Sequence, residues 1–103
     1  RTKFHEVFAE DVPEEEASVM AATQKPIAAG AFGEPVTSAA WKTIPSWYAV
    51  STEDHAVNPD LERFMAKRIG AQITEIEASH VPFISHPEEI SKVIKRAAVH
   101  IEY

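Results

Sequence analysis

The spacing of apolar positions changes character at about residue 44. Before it, apolar residues are grouped loosely between prolines. Asp11-Val12-Pro13-Glu14 reads as a helix start, with Asp11 as the cap, an early proline and Glu14 three residues on. That helix is expected to run to Thr23 or Gln24, where Pro26 closes it. An Ala-rich stretch, 27–32, adds a short helix, and Gly33-Glu34-Pro35 opens a loop that carries Trp41. No strand is predicted here, so residues 1–43 read as an all-helical unit.

From residue 44 the pattern alternates between strand and helix. Ser46-Trp47-Tyr48-Ala49-Val50-Ser51 is rich in β-formers with apolar residues on both faces, which predicts a strand buried on both sides. Asn58-Pro59 supplies an N-cap and a proline at the first helical position. Leu61, Phe64, Met65 and Arg68-Ile69 follow at helical spacing, and Gly70 is the expected stop. Gln72-Ile73-Thr74-Glu75-Ile76-Glu77 reads as a second strand and residues 78–84 as a loop. Ser85-His86-Pro87-Glu88 reads as a capping box opening a last helix, with Ile90, Val93, Ile94, Ala97, Ala98 and Ile101 on one stripe. Strand-helix-strand-helix calls for parallel pairing through a right-handed crossover. Two parallel strands alone leave unpaired edges, so this α/β unit, residues 44–103, is expected to be part of a larger sheet continued by polypeptide outside the chain.

Composition narrows the function. The 103 residues carry 10 Lys+Arg against 16 Asp+Glu, a formal charge of −6, with the basic residues scattered. That argues against nucleic acid or an anionic membrane as partner, since both require clustered positive charge. Without cysteine there is no disulfide framework, thiolate metal site or cysteine nucleophile, and the redox compartment stays open. No apolar run approaches the ~20 residues of a membrane span, and no apolar signal core follows Arg1-Thr2-Lys3-Phe4-His5-Glu6. The chain reads as soluble.

In parallel sheets, ligands bind beyond the carboxyl ends of the strands. Asp54 lies three residues past Ser51 and His80 three past Glu77. If the strands are neighbours, ~4.8 Å apart, the two loops share an edge and the carboxylate reaches the imidazole. A buried carboxylate on a ring N–H fixes the tautomer and stabilises the imidazolium, as a general base in acyl transfer requires. Glu53, its neighbour on an extended turn, is expected to face away. On spacing alone a plainer reading stands beside this one, with Asp54 capping a turn and His80 an ordinary loop residue. His5 and His100 lie near the ends, His55 reads as exposed and His86 as first-turn. A metal site built from Asp54, His80 and His86 finds no support, because no paired helical His-x-x-x-His spacing is present.

The stretch Ile44-Pro45-Ser46-Trp47-Tyr48-Ala49-Val50-Ser51-Thr52-Glu53-Asp54-His55-Ala56-Val57-Asn58-Pro59, with Leu61-Glu62-Arg63-Phe64-Met65-Ala66 and Ala78-Ser79-His80-Val81-Pro82-Phe83-Ile84-Ser85-His86-Pro87, resembles the C-terminal third of α/β-hydrolase-fold enzymes. The branch it is most similar to comprises small bacterial esterase-like proteins related to plant methyl-ester esterases and hydroxynitrile lyases. Phe8, Asp11, Val12 and Met20-Ala21-Ala22-Thr23-Gln24-Lys25-Pro26 resemble the end of that family's helical cap. The resemblance implies an α/β fold in which 1–43 ends the cap and 44–103 closes the core. It gives the triad acid to Asp54 and the triad histidine to His80, with no cofactor and no metal. It also implies a carboxylesterase acting on a small-molecule ester. The alternatives are a hydroxynitrile-lyase-type enzyme or a non-catalytic ligand-binding homologue. The family's Gly-x-Ser-x-Gly elbow is absent: none of Ser18, Ser38, Ser46, Ser51, Ser79, Ser85 or Ser91 is flanked by glycines in that way. The triad order Ser, Asp, His therefore leads one to expect the nucleophile in an N-terminal part of the same enzyme, before residue 1.

Overall fold

The computed structural model describes residues 3–102, and side chains as far as His100. The N-terminal part is helical, with α1 at Phe4–Phe8, α2 at Glu14–Ala22 and a single turn, α3, at Gly30–Gly33, before a 3₁₀ turn at Ala40–Lys42. Among the described residues before 46 there is no strand. The α/β part follows the expected order: β1 at Trp47–Ser51, α4 at Pro59–Arg68, β2 at Gln72–Ile76, a turn of helix, α5, at Pro82–Ser85, and α6 at Pro87–Glu102. The two strands pair parallel with Trp47 opposite Gln72 and Ser51 opposite Ile76.

Local chemistry sets the limits of α4. The Asn58 Oδ1 accepts the Asp60 N–H at 2.8 Å, with Pro59 at the first helical position. Gly70 ends the helix at φ 68°, a left-handed conformation that costs a residue with a Cβ about 1 kcal/mol. On the outer side of α4, Arg63 forks onto Glu75 of β2 at 3.0 and 2.9 Å and reaches Asp60 at 2.8 Å, tying the helix to the strand it precedes.

Burial occurs in two places. Val50, Ile76, Ala66, Ala78 and Val93 are buried in the α/β part. Ala9, Val12 and Ala17 of the helical part cluster with Val81, and Phe4, Met20 and Ile84 pack around them. The helical part therefore sits on the segment that follows His80.

Several local expectations are corrected. Asp11 does not cap α2. The residue before that helix is Pro13, no side chain caps it, and the Asp11 carboxylate is engaged elsewhere. Ser85 is not the cap of α6, because it closes α5 and its hydroxyl donates to Asp11 at 2.7 Å. β1 is not buried along its length: Trp47, Tyr48 and Ala49 are half-covered and only Val50 and Ser51 are buried. The inward face of α4 is Glu62 and Ala66, while Leu61, Phe64 and Met65 lie outside, Phe64 at 61% exposure. On α6 the covered stripe narrows to Ile90, Val93 and Ala97, with Ile94 and Ala98 exposed. The side chain of Ile101, expected on that stripe, lies outside the described residues.

Candidate active site

The parallel ladder continues past the strand ends and carries both loops with it. The Thr52 N–H donates to the Ile76 carbonyl at 2.9 Å and the Glu53 N–H to the Ala78 carbonyl at 3.1 Å. The next residue on one side is Asp54; on the other, Ser79 and His80 follow. The Asp54 Oδ2 meets the His80 Nδ1 at 2.8 Å. The Asp54 side chain is 3% exposed and the imidazole 38%, so a shielded acid faces a histidine open to solvent. With Nδ1 on the acid, Nε2 is the ring nitrogen turned away from it.

Asp54 also fills the plainer role. Its Oδ1 accepts the N–H groups of Ala56 at 2.8 Å and Val57 at 3.0 Å, closing the turn that follows β1. Burial pushes its carboxyl up, but hydrogen bonds from Glu62, Val57, His80 and Ala56 outweigh it and hold the group below the usual aspartate range. The turn and the imidazole use opposite oxygens, so one residue serves both. Glu53 is exposed, and the acid on the His80 Nδ1 is Asp54.

The residue that sequence reasoning missed is Glu62. It is 6% exposed, and its Oε1 accepts the Ser51 N–H at 3.2 Å. Burial together with a hydrogen bond to Asp54 pushes its carboxyl up to about 7. Tyr48 is raised as well, by burial and by the nearby charges of Glu62 and Asp54. A signal was present: Glu62 and Ala66 lie four residues apart on one face of α4, and the latter is small enough for close helix–strand approach.

A second polar cluster holds the histidine loop from behind. The Asp11 carboxylate accepts the Ser79 N–H at 3.2 Å, the Ser79 hydroxyl, and the Ser85 hydroxyl at 2.7 Å. His86 belongs here, with Nδ1 at 3.0 Å from the Ser85 Oγ and 3.7 Å from Asp11, apart from the Asp54–His80 pair. Burial raises the Asp11 carboxyl, and the bonds from Ser79 and Ser85 more than reverse this, leaving it below the ordinary value. His55 is exposed, with its Nδ1 3.1 Å from Glu10, and His5 meets the Val12 carbonyl at 2.8 Å. His100 lies edge-on to Trp47.

Beside the imidazole an open groove of about 580 Å³ runs between the helical part and the His80 loop, lined by Phe4, Phe8, Met20, His80, Phe83 and Ile84. The Phe8 ring stands edge-on to His80 at 5.5 Å between centroids. A base with its orienting acid behind it and an apolar groove in front suits proton transfer to or from an uncharged organic substrate.

The model of the alpha/beta hydrolase family matches residues 1–93. The chain is also similar to the "Alpha/beta hydrolase nvfD" of Aspergillus novofumigatus (strain IBT 16806), 38% identical over 66 residues that make up 62% of this chain. Those residues span only 26% of that relative's length. No solved structure matches the chain. The parallel strand pair with its linking helix and the family match over most of the sequence agree, and the chain belongs to the α/β-hydrolase family.

Proposed function

We propose that the chain supplies the acid and the histidine of a serine-hydrolase triad, in a carboxylesterase acting on small esters. The nucleophilic serine comes from polypeptide outside these residues. On this reading residues 1–43 end a helical cap, residues 44–103 complete the C-terminal part of the core, and the partner of this segment is the N-terminal part of the same enzyme. The observation that carries the reading is the 2.8 Å contact between a buried Asp54 and the Nδ1 of a half-open His80. Asp54 fixes the tautomer that keeps Nε2 basic. Nε2 then takes the proton of the serine hydroxyl and returns it to the leaving alkoxide, while Asp54 stabilises the imidazolium formed in between. The apolar groove beside His80 supports an ester with an uncharged acyl or alcohol part.

The test is hydrolysis of short-chain chromogenic esters by the full-length protein and three variants. His80→Ala removes the base, and Asp54→Asn keeps the shape while misdirecting the tautomer; both are expected to lower kcat by about 10³- to 10⁴-fold. His86→Ala, in the Asp11 cluster, is expected to stay within a few-fold of wild type. Activity that survives His80→Ala but is abolished by His86→Ala overturns the assignment. Wild-type protein that binds esters in the groove but turns over none across a broad panel favours a ligand-binding homologue, and cleavage of cyanohydrins instead of esters favours a lyase.

A further inference from the structure

Glu62 presents a problem that the triad reading leaves unsolved. Its Oε1 is satisfied by Ser51, but Oε2 is buried and has no donor among the described residues. The groups that face it come from each packed element: the Tyr48 hydroxyl from β1, Asp54 from the loop after β1, and His80 from the loop after β2. Arg63, its neighbour on the same helix, is engaged with Glu75 and Asp60 on the outer side. Asp54 and Glu62 are both buried and line one pocket together with His80; two such carboxylates cannot both be ionised without repulsion, and a carboxylate has no proton to offer. A hydrogen bond between Glu62 and Asp54 therefore needs one proton held by one of them. Asp54 already accepts from Ala56, Val57 and His80, which favours charge there. Glu62, equally buried, accepts a single N–H, so it carries the proton.

We propose that Glu62 is a positioning residue, a neutral carboxylic acid that donates its Oε2 proton to the Asp54 carboxylate and so holds that carboxylate against His80. A carboxylate offers about four lone-pair sites, and the donors from Ala56, Val57, His80 and Glu62 fill them. Asp54 is thereby fixed in rotation and keeps a single negative charge behind the imidazole. When Glu62 loses its proton the bond is lost and a second negative charge appears beside the first, which binds the imidazolium too tightly and loosens Asp54. The functional consequence rests on the triad reading above; the shared proton does not.

The test reads the proton first. In the full-length protein labelled at glutamate side-chain carboxyl carbons, the Glu62 resonance, assigned by its absence in Glu62→Gln, is expected to titrate near neutrality. In Asp54→Asn its midpoint is expected to fall. A wild-type midpoint in the ordinary range near 4.3, or one unmoved by Asp54→Asn, overturns the proposal. The second reading is the pH profile of ester hydrolysis. Glu62→Gln keeps a donor for Asp54 and an acceptor for Ser51, so it is expected to retain activity within about 3-fold and to lose the downturn above neutral pH. Glu62→Leu, which cannot donate, is expected to fall about 10-fold or more in kcat/KM at all pH values. A purely structural residue would lower stability in these variants without moving the profile, and an unchanged alkaline limb in Glu62→Gln overturns the positioning role. Protein that hydrolyses no ester but shows the raised, Asp54-dependent titration refutes the esterase reading and keeps the shared proton. An active enzyme with an ordinary Glu62 does the reverse.

Discussion

Asp11 is the strut between the helical part and the loop that carries His80, and removing it has a calculable cost. Asp11→Ala leaves the Ser79 N–H and hydroxyl without their acceptor in a residue that is 1% exposed. Each buried donor left unsatisfied costs about 1–3 kcal/mol. The Asp11 side chain is itself 22% exposed, so water enters part of the vacated space, and Ser85, half-buried, turns its hydroxyl to solvent. The expected loss is therefore in the lower half of the summed range, about 2–4 kcal/mol. Asp11→Asn keeps one acceptor and loses the charge, for about 1 kcal/mol. Urea unfolding of the full-length protein measures both as a lower midpoint at unchanged slope. The pH dependence supplies a sign. Because the folded carboxyl titrates below its ordinary 3.8, the stabilisation is fully present above that value and disappears as pH falls through the lower folded pKa. The gap between wild type and Asp11→Asn should close over the same interval. An Ala variant within about 0.5 kcal/mol of wild type, or a gap that persists undiminished in acid, would refute the strut.

Two further changes test the local signals around α4. Asn58→Ala removes the side-chain acceptor of the Asp60 N–H and should cost about 1 kcal/mol, read by the same unfolding experiment. Gly70→Ala places a Cβ where nothing lies within 4 Å, so its whole effect is backbone strain at φ 68°, about 1 kcal/mol. A neutral result in the crystal or by circular dichroism melting would mean that the helix end had shifted.

What the sequence disclosed depended on whether a signal was local. Asn58-Pro59 and Gly70 bracket α4 by chemistry complete within a few residues, and the bounds they predict are the ones found. The meeting of Asp54 with His80 was also legible, because equal offsets past two parallel strands are a geometric statement once pairing is granted. α1 was not predicted: Lys3 gives it no side-chain cap, and it is held by tertiary contacts such as His5 to the Val12 carbonyl and Ala9 against Val81. Asp11 before Pro13 carries a cap signature, yet its partners lie 68 and 74 residues away, where local spacing is silent. Ser85 was misread for the same reason.

Glu62 shows why the spacing of apolar positions does not identify the covered face of α4. Leu61, Phe64 and Met65 share a stripe and would bury more apolar area than Glu62 with Ala66, so hydrophobicity alone turns the helix the other way. The observed orientation follows from demands made by β1 and its turn. At the carboxyl end of β1 the Ser51 N–H is buried and finds its acceptor in the Glu62 carboxyl. On the shared-proton proposal the same side chain also donates to Asp54, and Ala66 one turn later lets the helix come close enough to deliver it. An orphaned buried N–H and a loosened carboxylate would together cost several kcal/mol, comparable to what burying Phe64 or Leu61 would return. The polar requirement of the strand end thus competes on equal terms with apolar burial, and the apolar stripe is left on the outside.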